Sequence, residues 1–239
     1  ALTPISQDKM TASPNNKKST YSVKSSLANL GYNEVVSYSF IDKETDEELH
    51  SNLDVIQLQN PIASQMNVMR SKLWGSHIET LIYNLNRGQN NIRIFEIAPV
   101  YQKMKSDFKE TLMLSGLVYG DSIPEQWSND KREVNFYDIK GDIEIISSKT
   151  LNIDTPKNTV PEIFHPGQAA ELIMDQTSVG WLGQLHPAWQ QKYELIGKTY
   201  LFELSMESVI DVEDLKINLP SKFPPLRRDI SVLVDRDVN

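Results

Sequence analysis

The sequence of 239 residues contains no cysteine. Disulfides, thiolate metal sites and thiol catalysis are therefore excluded. It also lacks long apolar runs: nothing approaches the roughly 20 residues that a bilayer-spanning helix needs, and its first residues form no hydrophobic signal region. Phosphate loops are missing, since neither Gly-x-Gly-x-x-Gly nor Gly-x-x-x-x-Gly-Lys occurs. Gly180 and Gly183 flank Trp181-Leu182 and read as close-packing or bulge glycines inside a strand. No Gly-x-Ser-x-Gly marks a serine nucleophile. Positive charge is in deficit. With 24 Lys and Arg against 32 Asp and Glu, the net charge is -8, which argues against a broad phosphate-gripping surface while leaving room for a local basic patch. Together these absences fit a cytoplasmic protein with no membrane partner. The chain opens at Ala1 and stops at Asn239 in what reads as an unfinished element, so a fragment of a longer chain is expected.

What is present is 39% hydrophobic, enough for one large core or for one domain with an appendage. The central stretch is residues 66–101. After Ser71, apolar residues at 73, 74, 78, 81, 82 and 85 share one helical stripe. Gly88 supplies the stop, and Ile92-Arg93-Ile94-Phe95-Glu96-Ile97 follows as a strand apolar on both faces. Helices are also expected over 19–30, with Ser19 as N-cap and Gly31 as stop, over 42–49 after Asp42, over 137–148, and briefly after Pro187. Gly141 inside the 137–148 helix signals either close packing or an imperfect boundary. Strands are expected over 34–40, 55–58, 92–101, 112–119, 160–164, 170–174, 179–185 and 200–204, with turns at His165-Pro166-Gly167 and at 175–178. Groups of strands with inserted helices and hairpin-length links predict an α+β fold with a mainly antiparallel sheet flanked by helices. The division expected is a linker at 1–18, a domain at 19–210, a second linker at 211–222, and a truncated first strand of a further domain at 223–239.

The chemistry-bearing residues are few. The histidines are His50, His77, His165 and His186. No pair has i, i+4 spacing, so turn or surface roles outweigh a metal site; His165 and His186 each precede proline. Most acids fit solvated helical faces. Glu96 differs because it interrupts an apolar strand, and a buried acid must be paired or protonated. An ion pair with Arg70 or Arg93 is the favoured reading, with a general base as the alternative. Phe223-Pro224-Pro225-Leu226-Arg227-Arg228-Asp229 joins a rigid turn to two arginines. With Lys222, these arginines fit an interdomain clasp and an RNA-phosphate contact equally well.

Met69-Arg70, the helix with Asn84 and Arg87, Arg93-Ile94-Phe95-Glu96-Ile97 and Pro99-Val100-Tyr101 resemble the motif 2 region of class II aminoacyl-tRNA synthetases. More closely, the chain is similar to the β subunits of bacterial phenylalanyl-tRNA synthetases. Gly31-Tyr32-x-Glu34-Val35-x-Ser37-Tyr38-Ser39-Phe40, Asn60-Pro61-Ile62, Phe136-Tyr137-Asp138-x-Lys140-Gly141, His165-Pro166-Gly167-Gln168 and Phe223-Pro224-x-x-Arg227-Arg228-Asp229-Ile230 carry the resemblance in the family's order. It implies a class II synthetase-like fold without synthetase activity, packed beside a catalytic α subunit in an (αβ)₂ assembly. Residues 223–239 would then begin a ferredoxin-like anticodon-binding domain. ATP and magnesium would serve the full enzyme, which attaches phenylalanine to tRNA; this chain would hold no cofactor, metal or catalytic residue.

The resemblance also implies where chemistry was lost. An active class II site follows the aromatic at this strand's end with arginine, one residue, then glutamate, and the arginine holds the α-phosphate. Here Tyr101 is followed by Gln102, Lys103 and Met104. Gln102 supplies no fixed charge and Met104 accepts hydrogen bonds poorly. Arg70, Arg93, Phe95, Glu96 and Gln102 would thus be a vestigial motif 2 region. If large side chains fill the space above 92–101, the site is closed; if it is open and polar, a ligand fits. A partner-binding apolar surface is expected on the 19–30 helix and on the helix after Ser71. Two other readings remain: an RNA-binding module using Lys222, Arg227 and Arg228, and an independent small-molecule enzyme using Glu96 as base.

Overall fold

A strand that is apolar on both faces needs a layer over each, and the segment after Gly88 imposes that condition on the molecule. The computed structural model describes residues 19–49, 55–105, 107–123, 125–127, 131–147, 151–156, 159–210, 228–231 and 233. In it the chain runs α1 (Thr20–Asn29), β1 (Asn33–Glu34), β2 (Phe40–Ile41), α2 (Lys43–Leu49), β3 (Ile56–Gln57), β4 (Val68–Met69) and α3 (Trp74–Leu85). It continues β5 (Ile92–Lys103), β6 (Phe108–Tyr119), α4 (Phe136–Ile146), β7 (Asn152–Asp154), β8 (Phe164–Met174), β9 (Thr177–Leu185), α5 (Pro187–Lys192), β10 (Thr199–Ser205) and α6 (Met206–Ile210).

The main sheet has seven strands in the order β1-β5-β6-β10-β9-β8-β7. Among the described residues only β1 and β5 pair in parallel; the other ladders are antiparallel. A second sheet, β2-β4-β3, is small and antiparallel. This is the expected α+β fold with a mainly antiparallel sheet flanked by helices. Alternation along β5 sends Phe95 into a core under α1, α4 and α6, with Leu27, Ile139, Phe202 and Met206. It sends Ile94 to the opposite core, with Trp74, Ile78, Leu81 and Phe164. Pro99 lies past the end of β1, where a strand tolerates a missing N–H.

The helix starts follow capping chemistry. Ser19 Oγ accepts from Ser22 N at 3.1 Å, Asp42 Oδ2 accepts from Glu44 N and Thr45 N, and Asn135 with Asp138 closes a capping box on α4. Gly31 and Gly88 end their helices at φ +85 and +82. Gly141 has no neighbour within 4 Å of an added Cβ, so close packing does not explain it.

Several expectations shift. The single strand over 34–40 is two short ones in different sheets. Between them, backbone groups go to side chains: Ser37 N donates to Glu96 Oε1 and Tyr38 O accepts from Arg70 Nη1. The strand expected at 160–164 is absent up to Ile163, where the chain is loop and turn; β8 begins at Phe164 and continues through the turn expected at His165-Pro166-Gly167 into 170–174, its register shift between Phe164 and Ala169 accommodating those residues. β4 and β7 were not anticipated, because two or three residues carry no measurable period. The apolar stripe of α3 is spent on the core, since Trp74, Ile78 and Leu81 are all buried there, and on its outward side Tyr83 is 56% exposed. Among the described residues no helix is long and apolar enough to cross a membrane. The linkers at 1–18 and 211–222 lie outside the described residues. Of 223–239, only 228–231 and 233 are described; they are exposed and join neither sheet.

Candidate functional site

Register places five side chains in one row across the sheet, on the face that α3 covers. Glu96 on β5 stands opposite Ser115 on β6, Ser115 opposite Glu203 on β10, Glu203 opposite Trp181 on β9, and Trp181 opposite Glu171 on β8. All three glutamates are buried, at 3%, 1% and 1% exposure for Glu96, Glu203 and Glu171. Carboxylates at that depth must have partners.

For Glu96 and Glu203 these partners come from the segment between β4 and α3. Arg70, 1% exposed, puts Nη1 3.4 Å from Glu96 Oε1. The same nitrogen donates to Ser37 Oγ at 2.7 Å, and Nε donates to Pro99 O at 3.1 Å. Ser37 Oγ donates in turn to Glu96 Oε2 at 2.6 Å. Ser71 N donates to Asp46 Oδ1 at 3.2 Å. Lys72 Nζ lies 2.9 Å from Glu203 Oε1, and Leu73 N donates to Glu203 Oε2 at 2.9 Å. That last bond sets a carboxylate at the N-terminus of α3, where the helix dipole favours it. Four consecutive residues are therefore tied to three acids. Burial pushes the Asp46 carboxyl up, against the hydrogen bond from Ser71.

Helix α3 then closes the face. Trp74 is 1% exposed and stacks edge-on against Phe164 at 5.2 Å. His77 is completely buried over Ser115, yet neither ring nitrogen reaches hydrogen-bonding geometry. Burial lowers its pKa to about 4, with the Glu96 charge opposing. Large side chains thus fill the space above β5. The clefts of the fold include one of about 410 Å³ bordered by Lys140, Asp154 and Gln168, and one of about 700 Å³ bordered by Arg93, Arg132 and Asp142.

The five motif 2 candidates separate. Arg70 and Glu96 meet, as the ion-pair reading expects. Arg93 turns to the other side, where Nη1 donates to Asp142 Oδ2 at 2.9 Å beside the Tyr32 hydroxyl; it is not the partner of Glu96. Phe95 is buried in the α1–α4 core, and Gln102 stands exposed near the tip of the β5–β6 hairpin. His165 and His186 act as turn residues, each Nδ1 accepting the backbone N–H two positions on. His50, Lys222 and Arg227 lie outside the described residues, and Arg228 is exposed. Among the described residues no cluster of three His, Asp or Glu has the form of a metal site. Glu203 and Glu171 escaped the sequence reading although each interrupts an apolar strand just as Glu96 does.

The model of the "Phenylalanyl tRNA synthetase beta chain CLM domain" family matches residues 2–206. The phenylalanine–tRNA ligase beta subunit of Neisseria meningitidis serogroup A is 40% identical over 227 residues, covering 95% of this chain and 29% of that protein. The corresponding subunits of Chromobacterium violaceum and Dechloromonas aromatica are 40% and 36% identical, with 98% and 100% of this chain covered. The chain spans about 30% of the length of these relatives. In fold it is similar to the pyrrolysyl tRNA synthetase PylSc of Desulfitobacterium hafniense, with a TM-score of 0.54 at 15% identity over 79% of this chain and 64% of that one, in keeping with a class II synthetase-like architecture. With the family model spanning most of its length, this chain belongs to the phenylalanyl-tRNA synthetase beta chain CLM domain family.

Proposed function

We propose that this chain is the non-catalytic core of a phenylalanyl-tRNA synthetase β subunit, and that it supports the active site of an α subunit in an (αβ)₂ enzyme. The observation that carries the reading is the closed face above β5: Arg70, Trp74 and His77 occupy it, each at most 1% exposed. The residues after Tyr101 add support, because Gln102 and Met104 supply neither a phosphate-binding charge nor a carboxylate. On this reading ATP and magnesium belong to the α subunit, the chain itself holds no cofactor, and tRNA is contacted through the full β subunit, which works in the cytoplasm. Residues 211–222 connect to a following ferredoxin-like domain that starts at 223–239 and offers Lys222, Arg227 and Arg228 as candidate tRNA or interdomain contacts.

Co-expression with the α subunit of a phenylalanyl-tRNA synthetase tests the reading. The folded chain is expected to co-purify with α and to show no ATP–pyrophosphate exchange alone. A folded chain that does not bind α, or one that catalyses exchange, overturns it.

A further inference from the structure

The geometry points to a self-occupied ammonium site: we propose that the Glu203 carboxylate and the Trp74 indole bind a primary alkylammonium group, and that Lys72 is its resident ligand. This stands independently of the synthetase reading. Lys72 Nζ lies 2.9 Å from Glu203 Oε1 and 5.0 Å from the centre of the Trp74 ring. A carboxylate and an aromatic face converging on one point form a cation cage. Glu203 is 1% exposed, so its charge is not neutralised by water and its affinity for a cation is high.

The site discriminates among cations. Glu203 Oε2 is taken by Leu73 N, whereas Oε1 accepts no hydrogen bond among the described residues and has Lys72 Nζ as its ion-pair contact at 2.9 Å. A guanidinium needs both oxygens for its fork; a compact ammonium with several N–H donors is satisfied by one. Arg70 could not substitute, because it is committed to Glu96, Ser37 and Pro99. The site also has an access route. The Lys72 side chain is 24% exposed whereas its acceptor is 1% exposed, so the aliphatic stem reaches the carboxylate from the surface and marks a channel of its own width. Asp46, held by Ser71 N, adds negative potential beside Glu203.

Lys72→Ala empties this channel, and n-propylammonium carries the atoms that the substitution removes. The test is the melting temperature of the K72A chain in propylammonium, tetramethylammonium, guanidinium and sodium chlorides at equal low ionic strength. K72A is expected to melt about 5 °C below wild type. Propylammonium should restore a saturable part of that loss, and the other three cations should not. Wild type, filled by Lys72, and K72M, whose thioether chain blocks the channel, should gain nothing specific from propylammonium, and K72A/E203Q should lose the response. If K72A does not fold in plain buffer, the soluble yield on refolding in each salt is read instead, with the same order expected. Equal effects of all four salts, or a propylammonium response that survives in K72A/E203Q or K72M, overturn the proposal.

Discussion

Glu96 is held from two directions, by the Ser37 N–H and hydroxyl and by the Arg70 guanidinium. Removing the acid leaves Arg70 charged, 1% exposed and short of its counter-ion. Glu96→Ala is therefore expected to cost about 3–5 kcal/mol in urea unfolding, whereas the double change Arg70→Met with Glu96→Leu recovers most of it, because two apolar groups of similar volume avoid the desolvation of two charges. His77 adds a pH dependence whose sign is fixed. In the unfolded chain it takes a proton as pH falls through 6.5; folded, it takes none until about 4. The unfolded state binds more protons across that window, so stability is lost as pH falls, starting near 6.5 and reaching a ceiling of about 3 kcal/mol below 4. Asp46 and Asp142, pushed up by burial, act in the opposite sense, holding protons more firmly in the folded state. The wild-type melting temperature minus that of His77→Leu, from pH 7 to pH 4, isolates the histidine: its signed value should fall toward the acid end, and a constant difference refutes the assignment. The same residues show what a sequence can disclose. Glu96 was legible because an acid in an apolar strand needs a partner. Its alignment with Glu203 and Glu171 was not, because register depends on ladders between strands as far apart in the chain as 96 and 203.

At the level of elements, legibility followed length. The α3 stripe spans a full helix, and the 92–103 and 199–205 strands are long enough to show their composition. The small sheet is built from pairs of residues, and the 34–40 segment has β-forming side chains whose backbone is diverted to Glu96 and Arg70; propensity has no access to that competition. Glycines separate the two situations further. Gly141 sits inside α4 with no neighbour within 4 Å of an added methyl group, so Gly141→Ala should stabilise by about 1 kcal/mol through helix propensity and raise the melting temperature by about 2–4 °C. Gly180 is its opposite. A Cβ there would fall 2.2 Å from Glu203 O and 2.6 Å from Leu204 Cα on the neighbouring strand, contacts that only a shift of backbone relieves. Gly180→Ala should destabilise by about 1–3 kcal/mol and loosen the β9–β10 ladder that positions Glu203. Calorimetry on the pair checks both signs; a destabilised Gly141→Ala would refute the open side read at that position.

At the scale of the whole molecule, the proposed non-catalytic role raises the question of whether charges placed after Tyr101 would give this chain the chemistry of an active class II site. Gln102 shares the Glu96 face by alternation along β5, since positions 96, 98, 100 and 102 point the same way. An arginine at 102 and a glutamate at 104 would restore the charges that an active class II site has there, by resemblance. They would not restore the floor. Arg70 and Lys72 neutralise Glu96 and Glu203, and Trp74 and His77 are packed over the row by the same helix that completes the core through Ile78 and Leu81. Opening that face means withdrawing α3, whose removal from Phe164, Ile94 and Leu117 would expose far more apolar area than a bound nucleotide could replace. Gln102→Arg with Met104→Glu is therefore expected to leave the melting temperature within about 2 °C of wild type, as exposed substitutions do, and to give ATP–pyrophosphate exchange indistinguishable from background. Exchange above background in that variant would mean that the two charges, rather than the packed face, are what separates this fold from an active one.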